Sequence, residues 1–119
     1  MHLVFVYGTL KRGFHNYKNF LEPLEPTPAK LSGFKLHSGP GFPYANYGTG
    51  EIQGEIYEID DAKLYNLDRL EGVPNHYRRV LCYPEVDGKT LECWIYISDY
   101  AANYPEIESG NWRKKWFYL

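Results

Sequence analysis

Apolar residues in this chain fall mostly into short runs with β preference, and one stretch carries a helical period. Leu3, Val4, Phe5, Val6 and Tyr7 form an unbroken apolar run that ends at Gly8, which predicts a buried strand over 3–7. The pattern then predicts a short helix near 16–21, a strand over 29–37, an aromatic, glycine-rich loop to about 50 and a strand over 53–59. A helix over 61–71, strands over 77–86 and 90–98 and an irregular tail complete the chain. Short strands with only two helices predict an α+β fold whose sheet is closed or nearly closed. The proline-bounded segment 23–28 is too short for a domain linker. With no internal repeat, residues 1–119 read as a single domain.

The helix has clear punctuation. Asp60 or Asp61 can cap its start, Gly72 can close its end, and Pro74 prevents its continuation. Leu64, Leu67 and Glu71 are three and four positions apart, so the Glu71 carboxylate shares a face with two leucines. A carboxylate there reaches back to solvent, pairs with a cation such as Arg78 or Arg79, or sits in a pocket with a raised pKa. Spacing alone leaves all three open.

A second feature is the turn after the first strand. Gly8 allows a sharp turn and a close approach, and the N–H groups of Thr9, Leu10 and Lys11 have no evident ladder partner. Such groups can line a concave site for a carboxylate or a developing oxyanion. Lys11 and Arg12 are expected to add positive potential at its mouth. An ordinary strand-to-helix connection with solvated basic residues is the other reading of the same residues.

Together these segments are similar to a known family. The turn Tyr7-Gly8-Thr9-Leu10 with Gly13 and Asn16 after it, then Leu67-Asp68-Arg69-Leu70-Glu71-Gly72 followed by Tyr77 and Arg79, resembles the γ-glutamyl cyclotransferase superfamily, most closely its small γ-glutamylamine cyclotransferase branch. The resemblance runs from Phe5 to about Trp116. It implies a small mixed β-barrel with two flanking helices that converts a γ-glutamyl amide to 5-oxoproline and a free amine. It also implies that Tyr7, Gly8, Thr9 and Leu10 bind substrate and that Glu71 is the catalytic residue. In such a substrate the nucleophile is internal, because the α-amine can close a five-membered lactam on the γ-carbonyl. No metal or cofactor is called for. The protein supplies a folded conformer, oxyanion donors and one carboxylate that accepts the ammonium proton and passes it to the leaving amine. Tyr77 and Arg79 are candidate pocket residues; a tyrosine packed over the core and an arginine at the surface or paired with a glutamate are the equal alternatives. The rival from another class is a non-catalytic module that holds a small carboxylate or amine on the same fold.

Composition narrows the partners. With 13 basic and 15 acidic residues the net charge is −2, which gives a nucleic-acid role little electrostatic support. No long apolar run or signal-like segment is present, so we expect no membrane partner and a cytoplasmic location. The expected partner is a small γ-glutamyl molecule, bound by a monomer or weak homodimer. Asp87-Gly88 signals a hairpin; pairing centred there sets Cys82 opposite Cys93, whereas a bulge would separate them. In either case the cysteines read as reduced sheet residues. His2, His15, His37 and His76 lack metal-ligand spacing; His76, near Glu71 in sequence, is expected to be a solvated loop residue, with a place at the pocket border as the alternative. The segment 38–45, with Phe42 and Tyr44, is expected to wall the pocket by resemblance, or to cover the core. The aromatic, basic tail 110–119 is expected to fold back over the barrel or pack across a dimer.

Overall fold

A computed structural model describes residues 1–113. Its elements, in chain order, are β1 (His2–Val6), α1 (His15–Phe20), β2 (Thr27–Ser38), β3 (Pro43–Ile59), α2 (Asp61–Leu70), β4 (Arg78–Cys82), β5 (Glu85–Val86), β6 (Lys89–Thr90) and β7 (Cys93–Ile97), then a 3₁₀ turn at Asp99–Asn103. The seven strands form one curled sheet in the order β4-β7-β1-β3-β2-β5-β6, antiparallel except where β1 meets β7. No described helix is long and apolar enough to cross a membrane.

The curl follows from one long hairpin. Arg78 pairs with Ile97, Cys82 with Cys93, Glu85 with Thr90 and Val86 with Lys89, so a single register runs through both halves around Asp87-Gly88. Asp87 (φ 51°) and Gly88 (φ 80°) are both left-handed, as a two-residue type I′ turn requires. Pro84 cannot donate to a ladder, and the two expected long strands are each divided: β4 and β5 on one arm, β6 and β7 on the other. At its base the hairpin adds β7 to β1; at its tip it adds β5 to β2 through Lys30 and Glu85. One hairpin therefore meets both edges of the remaining sheet. Cys82 and Cys93 are free, buried neighbours whose thiol pKa values are pushed up by burial.

The core has two layers, one on each face of the sheet. Phe5, Leu31, Leu36, Ile52, Ile95 and Ile97 fill the inner face, while Val4, Val6, Tyr57, Ile59, Leu64 and Leu67 pack under the helices. β1 contributes to both, which is why its residues form an unbroken apolar run. On β2 the inward positions change parity from Ala29 and Leu31 to Phe34 and Leu36, and the ladder shifts register between Ser32 and Phe34. A bulge at that point keeps the apolar residues on one face.

The region 38–50 departs from the expected loop. Only residues 39–42 connect the strands, and β3 is 17 residues long. Its first half pairs with the end of β2, from Ser38 opposite Pro43 to Phe34 opposite Tyr47. Gly48 and Gly50 weaken the strand signal in the sequence, yet they lie where the neighbouring strand comes close: a Cβ on Gly50 would stand 2.8 Å from the Phe34 carbonyl oxygen. At the other end of the chain, Gly110 accepts from the Gln53 N–H and Trp112 packs against the inner core, so residues 110–113 fold back on the barrel. The rest of the expected tail, 114–119, lies outside the described residues.

Gly54 sets a tight limit on the inner face. A Cβ there would stand 2.5 Å from both Phe5 Cζ and the Val6 carbonyl oxygen, a clash that side-chain movement alone cannot relieve. Gly54→Ala is expected to lower unfolding free energy by about 1–3 kcal/mol, measured by urea denaturation. An unchanged midpoint would mean that β1 and β3 separate freely.

Candidate active site

The end of β1 carries the chain into one wall of a cavity of about 240 Å³. Its floor includes Phe5, Tyr7, Gly8, Leu10, Tyr77 and Tyr96, all buried. Its rim includes Thr9, His15, Asn16, Phe42, Leu70 and His76, each at least partly exposed, and Glu71 is half-buried among them. The four turn residues, Glu71 and Tyr77 therefore converge on one cavity, as their segments do not in sequence.

Close packing and hydrogen bonds hold the turn. A Cβ on Gly8 would stand 2.8 Å from Pro43 Cγ, so only glycine lets the turn lie against the end of the 39–42 connection. The Lys11 N–H donates to the Gly8 carbonyl at 3.0 Å, and Asn16 Nδ2 donates to Thr9 Oγ1 at 2.8 Å. Among the described residues, the N–H groups of Thr9 and Leu10 have no protein acceptor. Two of the three expected free donors thus remain available, and the third closes the turn.

Helix α2 places Glu71. Asp60 caps the start by accepting from the Lys63 N–H at 2.8 Å. At the other end Gly72 is left-handed (φ 65°), its N–H donates to the Arg69 carbonyl, and that of Val73 donates to Asp68. This Schellman closure makes Glu71 the C-terminal cap residue. The Tyr77 N–H then returns to the Glu71 carbonyl at 3.2 Å, which fixes the backbone beneath the carboxyl group. Among the described residues, the Glu71 side chain has neither a hydrogen bond nor an ion pair. Its pKa is raised to about 7 because burial penalises the charged form. Of the three fates open to this carboxylate, the pocket is the one observed.

The basic residues expected nearby are engaged elsewhere, which corrects several expectations. Arg79 does not line the cavity: its Nε and Nη2 donate to the two Asp68 oxygens at 2.8 and 3.0 Å, and its guanidinium lies 4.3 Å from the centre of the Trp94 ring. Arg78 faces Asp99 at 3.6 Å, and Arg12 pairs with Glu25. Lys11 is buried, its pKa lowered mainly by desolvation, and its Nζ donates to Asn111 Oδ1 and the Trp112 carbonyl. Lys11 and Arg12 therefore hold the barrel's periphery, and among the described residues no lysine or arginine lines the cavity.

His76 is also corrected, since it lines the cavity and is packed among rings. Its Nε2 is 2.7 Å from Tyr44 Oη, and Phe42 and Tyr77 pack against it at 5.8 and 4.8 Å. The aromatic residues in 42–44 were the available signal, because a histidine five residues from Glu71 needs such a partner to be drawn inward. Three phenols around the floor are committed as donors: Tyr7 to the Tyr96 carbonyl, Tyr77 to the Pro43 carbonyl and Tyr96 to Asp68. Burial, and after it the charge of Glu71 and neighbouring phenols, raises the Tyr7 and Tyr77 pKa values, so these phenols stay protonated.

Residues 4–114 match the family model described as "Gamma-glutamyl cyclotransferase, AIG2-like". The chain belongs to this γ-glutamyl cyclotransferase family. A Methanocaldococcus jannaschii protein, provisionally named gamma-glutamylcyclotransferase, is 34% identical over 95% of this chain and 97% of its own length. The gamma-glutamylaminecyclotransferase of Mus musculus is 32% identical over 87% of this chain and 80% of its own. The crystal structure of a mouse AIG2-like protein superposes with a TM-score of 0.77 at 27% identity, covering 100% of this chain and 99% of that one. The expected barrel with flanking helices is the family's fold.

The Arg79 pair separates structure from binding. Arg79→Met would leave Asp68 with the Tyr96 hydroxyl as its remaining partner, and is expected to cost about 1–3 kcal/mol of stability while changing KM for a cyclotransferase substrate less than about twofold. Thermal denaturation and steady-state kinetics check this; a large KM effect at unchanged stability would return Arg79 to the cavity.

Proposed function

We propose that this chain is a cofactor-independent γ-glutamylamine cyclotransferase in which Glu71 carries the proton and the turn at residues 7–10 binds the glutamyl half. The observation that carries the reading is Glu71 itself. It is the only carboxylate among the described cavity residues, it has no cationic partner, and its pKa of about 7 suits a group that must accept and return a proton near neutrality.

In the reaction the substrate's α-nitrogen forms a bond to its own γ-carbonyl carbon, and the bond from that carbon to the amine nitrogen breaks. Ionised Glu71 takes a proton from the α-ammonium, which frees the lone pair for attack. Attack leaves the α-nitrogen with one proton more than the lactam keeps; Glu71 relays the two protons in turn to the departing nitrogen, which leaves as its ammonium, so the lactam retains a single N–H and Glu71 returns to its ionised form. The N–H groups of Thr9 and Leu10 are suited to an oxygen of the substrate that is charged or becomes so. Binding in a small cavity favours the folded conformer that brings nitrogen and carbonyl together. The Tyr7 and Tyr77 protons are spent on backbone carbonyls, which supports a positioning part for these phenols.

Relatives named gamma-glutamylaminecyclotransferase, from Bos taurus and Mus musculus, favour an amine as the leaving group. A relative from Niallia circulans, 29% identical over 93% of this chain, is named instead for γ-L-glutamyl-butirosin B. A module that only holds a carboxylate has no use for a half-buried, unpaired glutamate, and one that holds an amine by charge needs that glutamate fully ionised at neutral pH, which its burial opposes; the enzyme reading is therefore preferred.

Glu71→Gln is expected to lower kcat by at least about 10²-fold with near-unchanged substrate affinity, followed as 5-oxoproline by mass spectrometry across γ-glutamyl amines and γ-glutamyl amino acids. Retained cyclisation would remove Glu71 from the mechanism. For the wild type, kcat/KM should rise with pH through an inflection near 7; one near 4.5 would show an ordinary solvated carboxylate. Stability should move the opposite way. Below pH about 4.5 folded and unfolded chains both carry the Glu71 proton. Between about 4.5 and 7 the unfolded chain releases it and the folded chain keeps it, so folding weakens as pH rises. Glu71→Gln should remove this penalty and be more stable than wild type at pH 8 by about 1–3 kcal/mol; equal or lower stability would contradict the burial cost.

A further inference from the structure

The turn after β1 is a thin partition between two hollows. Leu10 borders the active cavity, whereas Lys11, the next residue, borders a second hollow of about 430 Å³ whose lining includes Gly54, Glu55, Gly88 and Asn111. A wall one segment thick, with open space on both sides, keeps its place only if it is tied from behind. Two ties reach it from that side. The Arg12 N–H donates to Glu55 Oε1 at 2.8 Å, an oxygen that also accepts from Tyr57 Oη at 3.0 Å. Lys11 supplies the other. Its N–H closes the turn on the Gly8 carbonyl at 3.0 Å, and its carbonyl accepts from the Phe14 N–H at 3.1 Å. Its Nζ leaves the turn and donates to Asn111 Oδ1 at 2.9 Å and to the Trp112 carbonyl at 2.6 Å.

Those acceptors are themselves fixed. Gly110 stands so close to β3 that a Cβ would lie 1.9 Å from the Glu51 carbonyl oxygen, and the Gly110 carbonyl accepts from the Gln53 N–H at 2.8 Å. Ser109 Oγ accepts from the Asn111 N–H at 3.2 Å, and Trp112 packs on the inner layer that contains Phe5 and Tyr7. A buried ammonium persists only where acceptors offset its desolvation, and Lys11 finds two on a seat built into the sheet. Gly110 and Trp112 already hold that seat. The turn, with a hollow on each side, has more to gain from the link than the seat has.

We propose that Lys11 is a positioning residue for substrate binding: its ammonium braces the turn against the 110–112 segment and so holds the Thr9 and Leu10 N–H groups at the face of the active cavity. The inference rests on the binding role proposed above for the turn, and adds a residue that touches no substrate and acts through Asn111 and Trp112.

The test is a double-mutant cycle between Lys11→Met, which keeps the apolar stem and removes the ammonium, and Asn111→Ala, which removes one acceptor. Well below every unfolding midpoint, Lys11→Met should raise KM for γ-glutamyl n-butylamide at least about fivefold, with kcat within about twofold and the pH inflection still near 7. Asn111→Ala should raise KM less and add nothing in the Lys11→Met background; Asn111→Asp, which keeps an oxygen in place, should restore it. Arg79→Met, expected to lose stability with little change in KM, shows what instability alone does. A wild-type KM in Lys11→Met, or additive effects of the two substitutions, would overturn the brace. Amide hydrogen exchange reads the turn without substrate: the N–H groups of residues 11 and 14 should exchange at least about fivefold faster in Lys11→Met, with those of β1 unchanged. Unchanged exchange at 11 and 14 would overturn the brace whatever the substrate is, and faster exchange with no effect on binding would make Lys11 an anchor only and overturn it too. Faster exchange with weaker calorimetric binding of the butylamide, in a chain that forms no 5-oxoproline, would support the brace and sink the cyclotransferase reading. Turnover with a KM indifferent to Lys11 would do the reverse.

Discussion

Keeping one carboxyl group partly out of water without giving it a cation is the constraint around which this molecule is arranged. Glu71 sits at the end of an apolar helical face, beside two arginines in the next strand that would ordinarily neutralise it. Asp68, one turn earlier, takes Arg79 through both of its oxygens and also accepts from Tyr96. Arg78 is turned toward Asp99. The neighbouring cations are thus engaged before they can reach Glu71, and desolvation alone shifts its pKa. Asp68 and Glu71 are similar in chemistry and three residues apart, yet one is a structural anchor and the other an unpaired acid because their partners differ.

The fold meets this constraint with a strand buried on both faces. β1 alternates between the inner core and the layer beneath the helices, so it must be apolar throughout, and its direction is set by β3 on one side and β7 on the other. The chain leaves that rigid strand at Tyr7 and turns at Gly8 against Pro43. Helix α2 packs Leu64 and Leu67 on the same layer and ends with Glu71 as its cap. Two elements anchored in a common core deliver the turn and the carboxyl group to one cavity, which preserves their spacing better than free loops would.

Much of this arrangement was legible in the chain because it rests on local rules. The apolar run before Gly8, the Asp60 cap, the glycine closure and the period of Leu64, Leu67 and Glu71 each have a single local cause. Of the two registers left open around Asp87-Gly88, the two-residue turn is the one formed, and it sets Cys82 opposite Cys93. What was missed depends on partners distant in sequence. The first half of β3 looked like a loop because its glycines suit close strand approach rather than β propensity. Lys11 looked like a charge at the mouth, but its side chain is held by Asn111 and Trp112, a hundred residues away. Choosing between Asp68 and Glu71 as the partner of Arg79, and drawing His76 in against Tyr44, likewise required the folded geometry. The parity change between Leu31 and Phe34 was present in the sequence and would have located the bulge.

The central claim concerns the charge state of one side chain, so direct titration is the most incisive measurement. Carboxyl-carbon NMR of ¹³C-labelled protein, with the Glu71 resonance assigned by its loss in Glu71→Gln, would follow that group from pH 4 to 9. The account predicts a midpoint near 7 for Glu71. A Glu71 midpoint near 4.5 would mean that the carboxylate is solvated or paired, and the proposed proton carrier would be lost with it.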